Sequence, residues 1–488
     1  MARALKHLAK CCRVQGNGEM CITGLALDSR LVKPGYLFAA LPGTRLDGLQ
    51  FVPDALERGA TALLVAEEAA LPPLPEGVAV VRSANPARAL AHIAARFYVH
   101  QPVTIVAVTG TNGKSSVAEF TRQIWSFMGF RAASMGTLGV HGPDIDDLNV
   151  AHTTPDVITL HANLAKMRRR AISHLVMEAS SHGLQQYRMD GVRLTAGAFT
   201  NLSRDHLDYH GDMEHYFAAK MRLFRELLHP TAGAVINMDV AEGPEVAQIA
   251  RHHSLRVLEV GEAGSGLKLL SRRLEGLGQH LHIRGRRREY RIFLPLVGDF
   301  QAANALVAAG LVIAAGGPEE EAILGLERLR GARGRMELVG RRENGAAVFV
   351  DYAHTPDALA TALRALRPYA RGRLVVVFGA GGDRDKGKRA LMGQAAARHA
   401  DVVIVTDDNP RSEEPAEIRR QILAGCPGAE EVAGRAAAIA RAVKALRAGD
   451  ILLVAGKGHE TGQEIQGEIH PFSDHEEIRK ALGMEKAA

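Results

Sequence analysis

The 488-residue chain is poor in cysteine and aromatics, with four Cys, one Trp and 5% Phe, Trp and Tyr together. Cys11 and Cys12 are adjacent, while Cys21 and Cys426 stand apart from them. That pattern is neither a disulfide framework nor a zinc-ligand spacing, so reduced thiols in a cytoplasmic protein are the simplest expectation. Few aromatics and scattered arginine runs exclude a basic face on which bases could stack, so nucleic acid is not an expected partner. Long hydrophobic runs are missing too. The longest apolar stretch, Ala302 to Ala315, is broken by Asn304 and Gly310. It falls short of the ~20 residues a membrane span needs. The opening Met1-Ala-Arg-Ala-Leu-Lys-His has no signal-peptide core. Membrane insertion is therefore not expected. No 20–50-residue repeat and no low-complexity segment is present. The charge is nearly balanced, with 60 Lys and Arg against 54 Asp and Glu. The resulting +6 points only weakly to anionic ligands.

What is present reads as a soluble globular enzyme: 47% apolar and 23% charged residues. At roughly 150 residues per domain the length predicts about three domains. Glycine is in excess, 50 residues of 488. This suits α/β folds with tight strand-to-helix turns. Three blocks can be drawn, 1–101, 102–333 and 334–488. The first has short strands at Tyr36 to Ala40 and Ala62 to Ala66, with a helix-like Pro53 to Gly59 between them. The second opens on Val103 to Thr109, a fully apolar strand of the parallel-sheet type. Late in this block Leu267 to Leu294 reads as hairpin strands, and its Arg284 to Arg291 run as a charged sheet edge. The third alternates four apolar strands with helices, and each strand runs into a polar or glycine-rich loop at Asp351, Gly379, Thr406 or Ala455. This is a parallel sheet, and ligands bind at the carboxyl ends of such strands.

The strongest chemical signal is Val108-Thr-Gly-Thr-Asn-Gly-Lys-Ser-Ser between that first strand and a helix over Ser115 to Met128. Gly110, Thr111, Asn112 and Gly113 would wrap phosphate with backbone N–H groups, at a helix N-terminus. Lys114 would reach the terminal phosphates, and Ser115, followed by Ser116, would ligate Mg²⁺. The general loop G-x-x-x-x-G-K-S/T is matched only in its core, since its first glycine falls on Val108. Glu178, at a strand end, is a second candidate for Mg²⁺. The polar run Asn201 to His210 is too dense for a core. Tyr216 to Phe224 reads as an amphipathic helix with Phe217, Met221 and Phe224 on its apolar face. On periodicity alone Lys220 is a solvated helix lysine.

Taken together these strings resemble the Mur ligases. Thr109-Gly-Thr-Asn-Gly-Lys-Ser, His152-Thr-Thr-Pro155, Met177-Glu-Ala-Ser-Ser-His-Gly183, Asn201-Leu-Ser-Arg-Asp-His206 and Ala219-Lys220 occur in the family's order. So do Gly334-Arg-Met-Glu337, Asp351-Tyr-Ala-His-Thr-Pro-Asp357 and Gly456-Lys-Gly-His-Glu460. The resemblance covers essentially the whole chain. Gly381-Gly-Asp-Arg-Asp-Lys386 and Asp408-Asn-Pro-Arg411 resemble the members that add meso-diaminopimelate, with lysine-adding and folylpolyglutamate synthase-like members as the alternatives.

The resemblance implies an α/β fold of three domains: a small N-terminal domain for the UDP end of the substrate, a central phosphate-loop ATPase domain with a parallel sheet, and a Rossmann-like C-terminal domain. It implies ATP-driven amide formation on UDP-MurNAc-L-Ala-D-Glu through an acyl phosphate. Lys114, Glu178, His206 and Lys220 would be catalytic. Ser115, Glu178 and His206 would hold Mg²⁺, joined by Lys220 as a carbamylated N6-carboxylysine. Asn304, Arg335 and Asp351 would touch ATP. Leu27, Ser29, Thr44 and Arg45 match the uridine side. Thr153, Thr154, Ser180, Gln186 and Arg188 match the sugar-dipeptide side. Arg384, Asp408, Asn409, Pro410, Arg411, Gly456 and Glu460 match the diaminopimelate side. A cytoplasmic monomer is expected. Diaminopimelate differs from lysine by one carboxylate, which Arg411 and Arg384 could grip bidentately while Glu460 holds an ammonium.

Overall fold

The structure is a computed structural model that describes residues 2–10, 12–43, 47–148 and 152–484. Thr44 and Arg45 lie outside the described residues. The chain divides into two compact units, Met1–Lys268 with Leu306–Ala322, and Leu269–Ala305 with Ile323–Ala488.

The first unit holds two larger sheets and a two-stranded one, Arg3–Ala4 against Cys21–Ile22. Strands β1 (Arg13–Gln15), β2 (Gly24–Ala26), β3 (Tyr36–Ala39), β4 (Ala60–Ala66) and β5 (Ala79–Ser83) lie in the order β1-β5-β4-β3-β2, parallel except for β1. Helix α1 (Pro86–Tyr98) starts where the Asn85 side chain accepts the Arg88 N–H and Pro86 fixes the first turn. It buries Leu90, Ile93, Ala94 and Phe97. From its exposed face the Arg88 guanidinium reaches the buried Asp190 at 2.9 Å. Gln101 donates to Gly191 O at 2.9 Å and accepts the Arg193 N–H at 3.0 Å. These contacts tie the first sheet to the second.

The second sheet begins with β6 (Thr104–Thr109), whose side chains from Ile105 onward are buried, as a strand covered on both faces requires. Helix α2 (Lys114–Phe127) follows and packs Val117, Phe120, Ile124 and Trp125 inward. Then come β7 (Ala132–Gly136), β8 (Gly139–His141), α3 (Val157–Arg169), β9 (His174–Glu178), β10 (Ala196–Phe199), α4 (Met213–Arg222), β11 (Gly233–Asn237) and β12 (Arg256–Gly261). The order is β8-β7-β9-β6-β10-β11-β12, with only β8 antiparallel. The loops after β6, β9 and β10 therefore emerge at one end of the sheet. Strand β13 (Leu267–Glu275) starts beside β12, with Leu267 opposite Val260.

In the second unit β14 (Gly278–Arg284) and β15 (Glu289–Leu294) form the expected hairpin. Helix α5 (Asp299–Ala314) follows, and its residues from Leu306 onward belong to the first unit. A six-stranded sheet is built from β16 (Glu337–Arg341), β17 (Ala347–Asp351), β18 (Leu374–Phe378), β19 (Val402–Val405), β20 (Glu430–Glu431) and β21 (Ile451–Ala455). Its order is β16-β17-β21-β18-β19-β20, parallel apart from β16. All four apolar strands anticipated for this block are present. A small hairpin, β22 (Gly462–Ile465) and β23 (Glu468–Pro471), comes after it.

Helix α6 (Arg435–Ala445) begins with a guanidinium that is fully buried. Its Nε and Nη2 each lie 2.7 Å from the equally buried Asp474 carboxylate, and Nη2 also donates to Ala455 O at 2.9 Å. Removing one partner of such a pair strands a charge in the core. Arg435→Met is therefore expected to lower the stability of this unit by about 3–5 kcal/mol, and the double variant Arg435→Met/Asp474→Leu to recover most of it. Urea unfolding followed by circular dichroism checks this; a single variant as stable as the parent contradicts it.

Candidate active site

The phosphate loop is shaped by what stands behind it. At Gly110, φ is 148°, and a Cβ there would come within 1.9 Å of Thr200 Oγ1. Thr200 and Asn201 follow β10 and brace the loop. Thr200 Oγ1 donates to Asn112 O at 2.7 Å, and Asn201 Oδ1 accepts the Asn112 N–H at 2.9 Å. Thr111 Oγ1 accepts the Ser203 N–H at 2.9 Å and lies 3.2 Å from the Tyr216 hydroxyl. Gly113, at φ 85°, turns the chain into α2.

Two lysines converge on this loop. Lys114 Nζ donates to Gly110 O at 2.9 Å and to Thr111 O at 2.8 Å. Lys220 Nζ donates to the same Gly110 oxygen at 2.8 Å and sits 4.1 Å from the centre of the Tyr216 ring. Burial pushes the Lys220 amine well below the usual lysine range, and the neighbouring Lys114 charge pushes it further; Asp205 acts in the opposite sense. The expectation of a solvated Lys220 is thereby corrected: it is only 1% exposed. Helix α4 buries two faces. Met221 and Phe224 pack into the core as expected, while the Lys220 side packs against the phosphate loop. Just after Lys220 the backbone widens into a π-turn over Leu223–Leu227, a local feature that a 3.6-residue period does not anticipate.

Glu178 ends β9 and is 2% exposed. Its Oε1 accepts Ser115 Oγ at 2.9 Å and the Thr137 N–H at 2.8 Å, and Oε2 accepts Thr137 Oγ1 at 3.2 Å. A Cβ on Gly136 would stand 2.2 Å from Oε1, so only glycine lets the strand pass. A carboxylate and a hydroxyl so placed are hard oxygen donors of the kind Mg²⁺ takes. His206 is half-exposed and at φ 54°, with its ring 4.9 Å from His182 and 6.2 Å from Tyr216. Burial pushes His182 below the usual imidazole range and His210 down to about 4. Among the described residues no group of three or more His, Cys, Asp or Glu is gathered as a metal cage.

The sugar-dipeptide candidates continue from Glu178. Thr153 Oγ1 lies 2.9 Å from Thr137 Oγ1. Thr154 Oγ1 donates to Glu178 O at 2.9 Å and lies 3.0 Å from Ser180 Oγ, which itself accepts the Gly183 N–H at 3.1 Å. Arg188 donates to Thr154 O at 2.7 Å and to Gln186 Oε1 at 2.6 Å, and Gln186 in turn donates to Tyr209. Leu27 and Ser29 stand on their own turn after β2, where Asp28 accepts the Arg30 N–H at 3.0 Å.

In the second unit the nucleotide-side candidates form one chain. Asn304 donates to Gln301 at 3.3 Å, and Gln301 to Arg335 O at 3.4 Å. Asp351 accepts the Met336 N–H at 2.7 Å and the Ala353 N–H at 2.8 Å. Burial raises its carboxyl; Arg335 and those N–H groups oppose this. The amino-acid-side candidates gather where β18, β19 and β21 end. Asn409 donates to Glu460 Oε2 at 3.0 Å, and the fully buried Lys457 Nζ donates to Asn409 Oδ1 and Glu460 Oε2, both at 2.9 Å. Gly456 must stay small, since a Cβ there would meet Asp408 Oδ2 at 2.5 Å. Arg411 follows Pro410 at φ 54° and pairs with Glu464 at 2.9 Å. Arg384 stands exposed on the loop after β18. Thr137, Tyr216, Lys457 and Glu464 were not anticipated as members of these clusters. Lys457 alone carried a signal, its place between two glycines in a motif string.

Known proteins are similar to this chain along nearly its whole length. The model described as Mur ligase family, catalytic domain, matches residues 21–98, the Mur ligase middle domain matches 108–312, and the Mur ligase, glutamate ligase domain matches 334–458. A curated protein of Bradyrhizobium diazoefficiens named UDP-N-acetylmuramoyl-L-alanyl-D-glutamate--2,6-diaminopimelate ligase is 54% identical over 96% of each chain. A solved structure of a ligase with that same name superposes with a TM-score of 0.73 at 32% identity, covering 99% of each chain. At the level of fold alone, the folylpolyglutamate synthase of Mycobacterium tuberculosis, complexed with ADP and AMPPCP, is similar at 20% identity and a TM-score of 0.61, over 82% of this chain and 95% of that one.

The crowding behind Gly110 makes a direct expectation. Gly110→Ala should weaken ATP binding by about tenfold or more, equivalent to ~1.4 kcal/mol, with the circular-dichroism spectrum retained. Calorimetric titration with ATP reads this; parent-like affinity contradicts the account of the loop.

Proposed function

The chain belongs to the Mur ligase family, and from that premise we propose that it is the ATP-dependent ligase that adds meso-2,6-diaminopimelate to UDP-MurNAc-L-Ala-D-Glu in the synthesis of peptidoglycan precursors. The observation that carries the reading is the 54% identity over 96% of both chains to the relative named for that reaction. The segments 1–101, 102–333 and 334–488 are taken as the UDP-sugar, ATP and amino-acid parts. A cytoplasmic monomer fits the reading, and among the described residues no helix is long and apolar enough to cross a membrane.

The reaction runs in two steps. An oxygen of the D-Glu γ-carboxylate attacks the γ-phosphorus of ATP, the bond to the β-phosphate oxygen breaks, and ADP leaves behind an acyl phosphate. The amine of diaminopimelate then attacks the acyl carbon, the C–O bond to phosphate breaks, and the amine gives up a proton as the amide forms. Phosphoryl transfer depends mainly on positioned phosphates and on charge neutralisation. The N–H groups of Gly110 to Gly113 and the ammonium of Lys114 do this at the loop. Thr153, Thr154, Ser180, Gln186 and Arg188 orient the dipeptide end beside Glu178. By their match to the family, Asn304, Arg335 and Asp351 are assigned to ATP.

Ser115 and Glu178 fit Mg²⁺ by their chemistry, with His206 and a carbamylated Lys220 completing the set. When bound, the ion would neutralise phosphate charge. Lys220 suits carbamylation because its buried amine sheds its proton readily, and only the neutral amine attacks CO₂. As the N–C bond forms, a C=O π pair of CO₂ moves onto oxygen and the nitrogen releases a proton to solvent, leaving an anionic oxygen donor in place of a cation.

Selection of the amino acid rests on Arg411, with Arg384 on a neighbouring loop and Glu460 for an ammonium. Lysine would leave the Arg411 fork unmatched. The lysine-adding and folylpolyglutamate-type alternatives are separated by one assay. Turnover is expected with meso-diaminopimelate and to be far slower with lysine, and Arg411→Ala should raise the KM for diaminopimelate at least roughly 30-fold, equivalent to about 2 kcal/mol. Equal turnover of the two amino acids, or an unchanged KM, contradicts the assignment.

A further inference from the structure

Strand β22 is sewn to the segment 408–411 along its length. Gln463 donates to Asp408 O, and the Glu464 N–H donates to Asn409 Oδ1 at 3.0 Å. The Arg411 N–H donates to Glu464 O at 3.0 Å, and the Gln466 N–H to Arg411 O at 2.7 Å. These last two bonds hold Arg411 in the left-handed region, φ 54°, which a long side chain rarely adopts. Its guanidinium is fixed as well. Nε donates to Glu464 Oε2 at 2.9 Å and Nη1 to Gly382 O at 2.8 Å. Among the described residues Arg411 is the one cation with which Glu464 pairs.

We infer that Glu464 is a positioning residue for amino-acid selection, which fixes the Arg411 fork before the substrate arrives. The inference rests on the reading above, in which Arg411 grips a carboxylate of the incoming amino acid. A free arginine side chain has many rotamers, and ordering it on binding costs affinity. Here it is ordered already. A guanidinium has five N–H donors, and Glu464 and Gly382 take one each, so enough remain for a two-point grip on a carboxylate. Glu464 takes Nε alone, so it does not fill the place of the substrate carboxylate. With Glu464 42% exposed, its removal leaves no cavity in the core.

The test compares Glu464→Ala, Glu464→Gln and Arg411→Ala, singly and with Glu464→Ala and Arg411→Ala combined, by steady-state kinetics with each substrate varied in turn. Glu464→Ala is expected to raise the KM for meso-diaminopimelate by up to about tenfold. The KM values for ATP and the UDP-sugar should stay within about twofold, and Glu464→Gln, whose carbonyl still accepts from Nε, should fall between. In the Arg411→Ala background Glu464→Ala should add nothing, since both act through one guanidinium. A KM for diaminopimelate that falls or stays level in Glu464→Ala, while Arg411→Ala raises it, overturns the inference and leaves the function standing. A uniform rise in all three KM values also overturns it, as that is a loss of structure. An unchanged KM in Arg411→Ala removes the reading on which both rest.

Discussion

Two lysine amines, Lys114 and Lys220, share one carbonyl oxygen, that of Gly110. Both cannot hold their protons at little cost when one of them is 1% exposed. The strain of like charges is relieved if Lys220 gives up its proton, or if an anion arrives. Either way the loop is built for negative charge, and beside it lies an amine whose hold on its proton is weakened by burial. Thr200 and Asn201 fix the loop from behind, and Tyr216 covers the Lys220 amine while touching Thr111. Strands β6 and β10 run directly into members of this arrangement, and β9 ends at Glu178, which accepts the Ser115 hydroxyl beside it.

The second unit solves a comparable problem with opposite means. Its strand ends carry carboxylates and amides, and their charges are balanced by cations deep in the fold. Lys457, fully buried, joins Asn409 to Glu460, and Arg435 closes on Asp474 beneath them. Such pairs add little net stability, but they fix side chains whose geometry is read by a ligand. The surface proposed for the amino acid is then a set of groups already hydrogen-bonded into place, with Arg411 held by Glu464 and Gly382.

Much of this was legible in the chain itself. The apolar strands ending at Thr109, Asp351, Phe378, Val405 and Ala455 were readable as a parallel sheet because strands buried on both faces are continuously hydrophobic. The loop at Gly110 to Ser115 announced itself by glycine spacing between strand and helix. Three features were not readable from local pattern, the burial of Lys220, the pairing of Glu464 and the burial of Lys457, because each depends on at least one partner distant in sequence. Lys220 lies on a helix whose periodicity describes one packed face, and the second face exists only because the phosphate loop folds against it. Glu464 lies 53 residues from the arginine it holds. Lys457 sits between glycines, which suggests exposure, yet the Asn409 and Glu460 side chains enclose it. The division into compact units, with 269–305 joining the later part of the chain, likewise follows contacts that no local pattern encodes.

The central proposal, that the buried Lys220 amine gives up its proton readily and is carbamylated, can be read directly. Protein equilibrated with ¹³C-labelled bicarbonate should show a single ¹³C carbamate resonance that is absent from Lys220→Ala. No such resonance in the parent, or an identical one in the variant, would contradict the account.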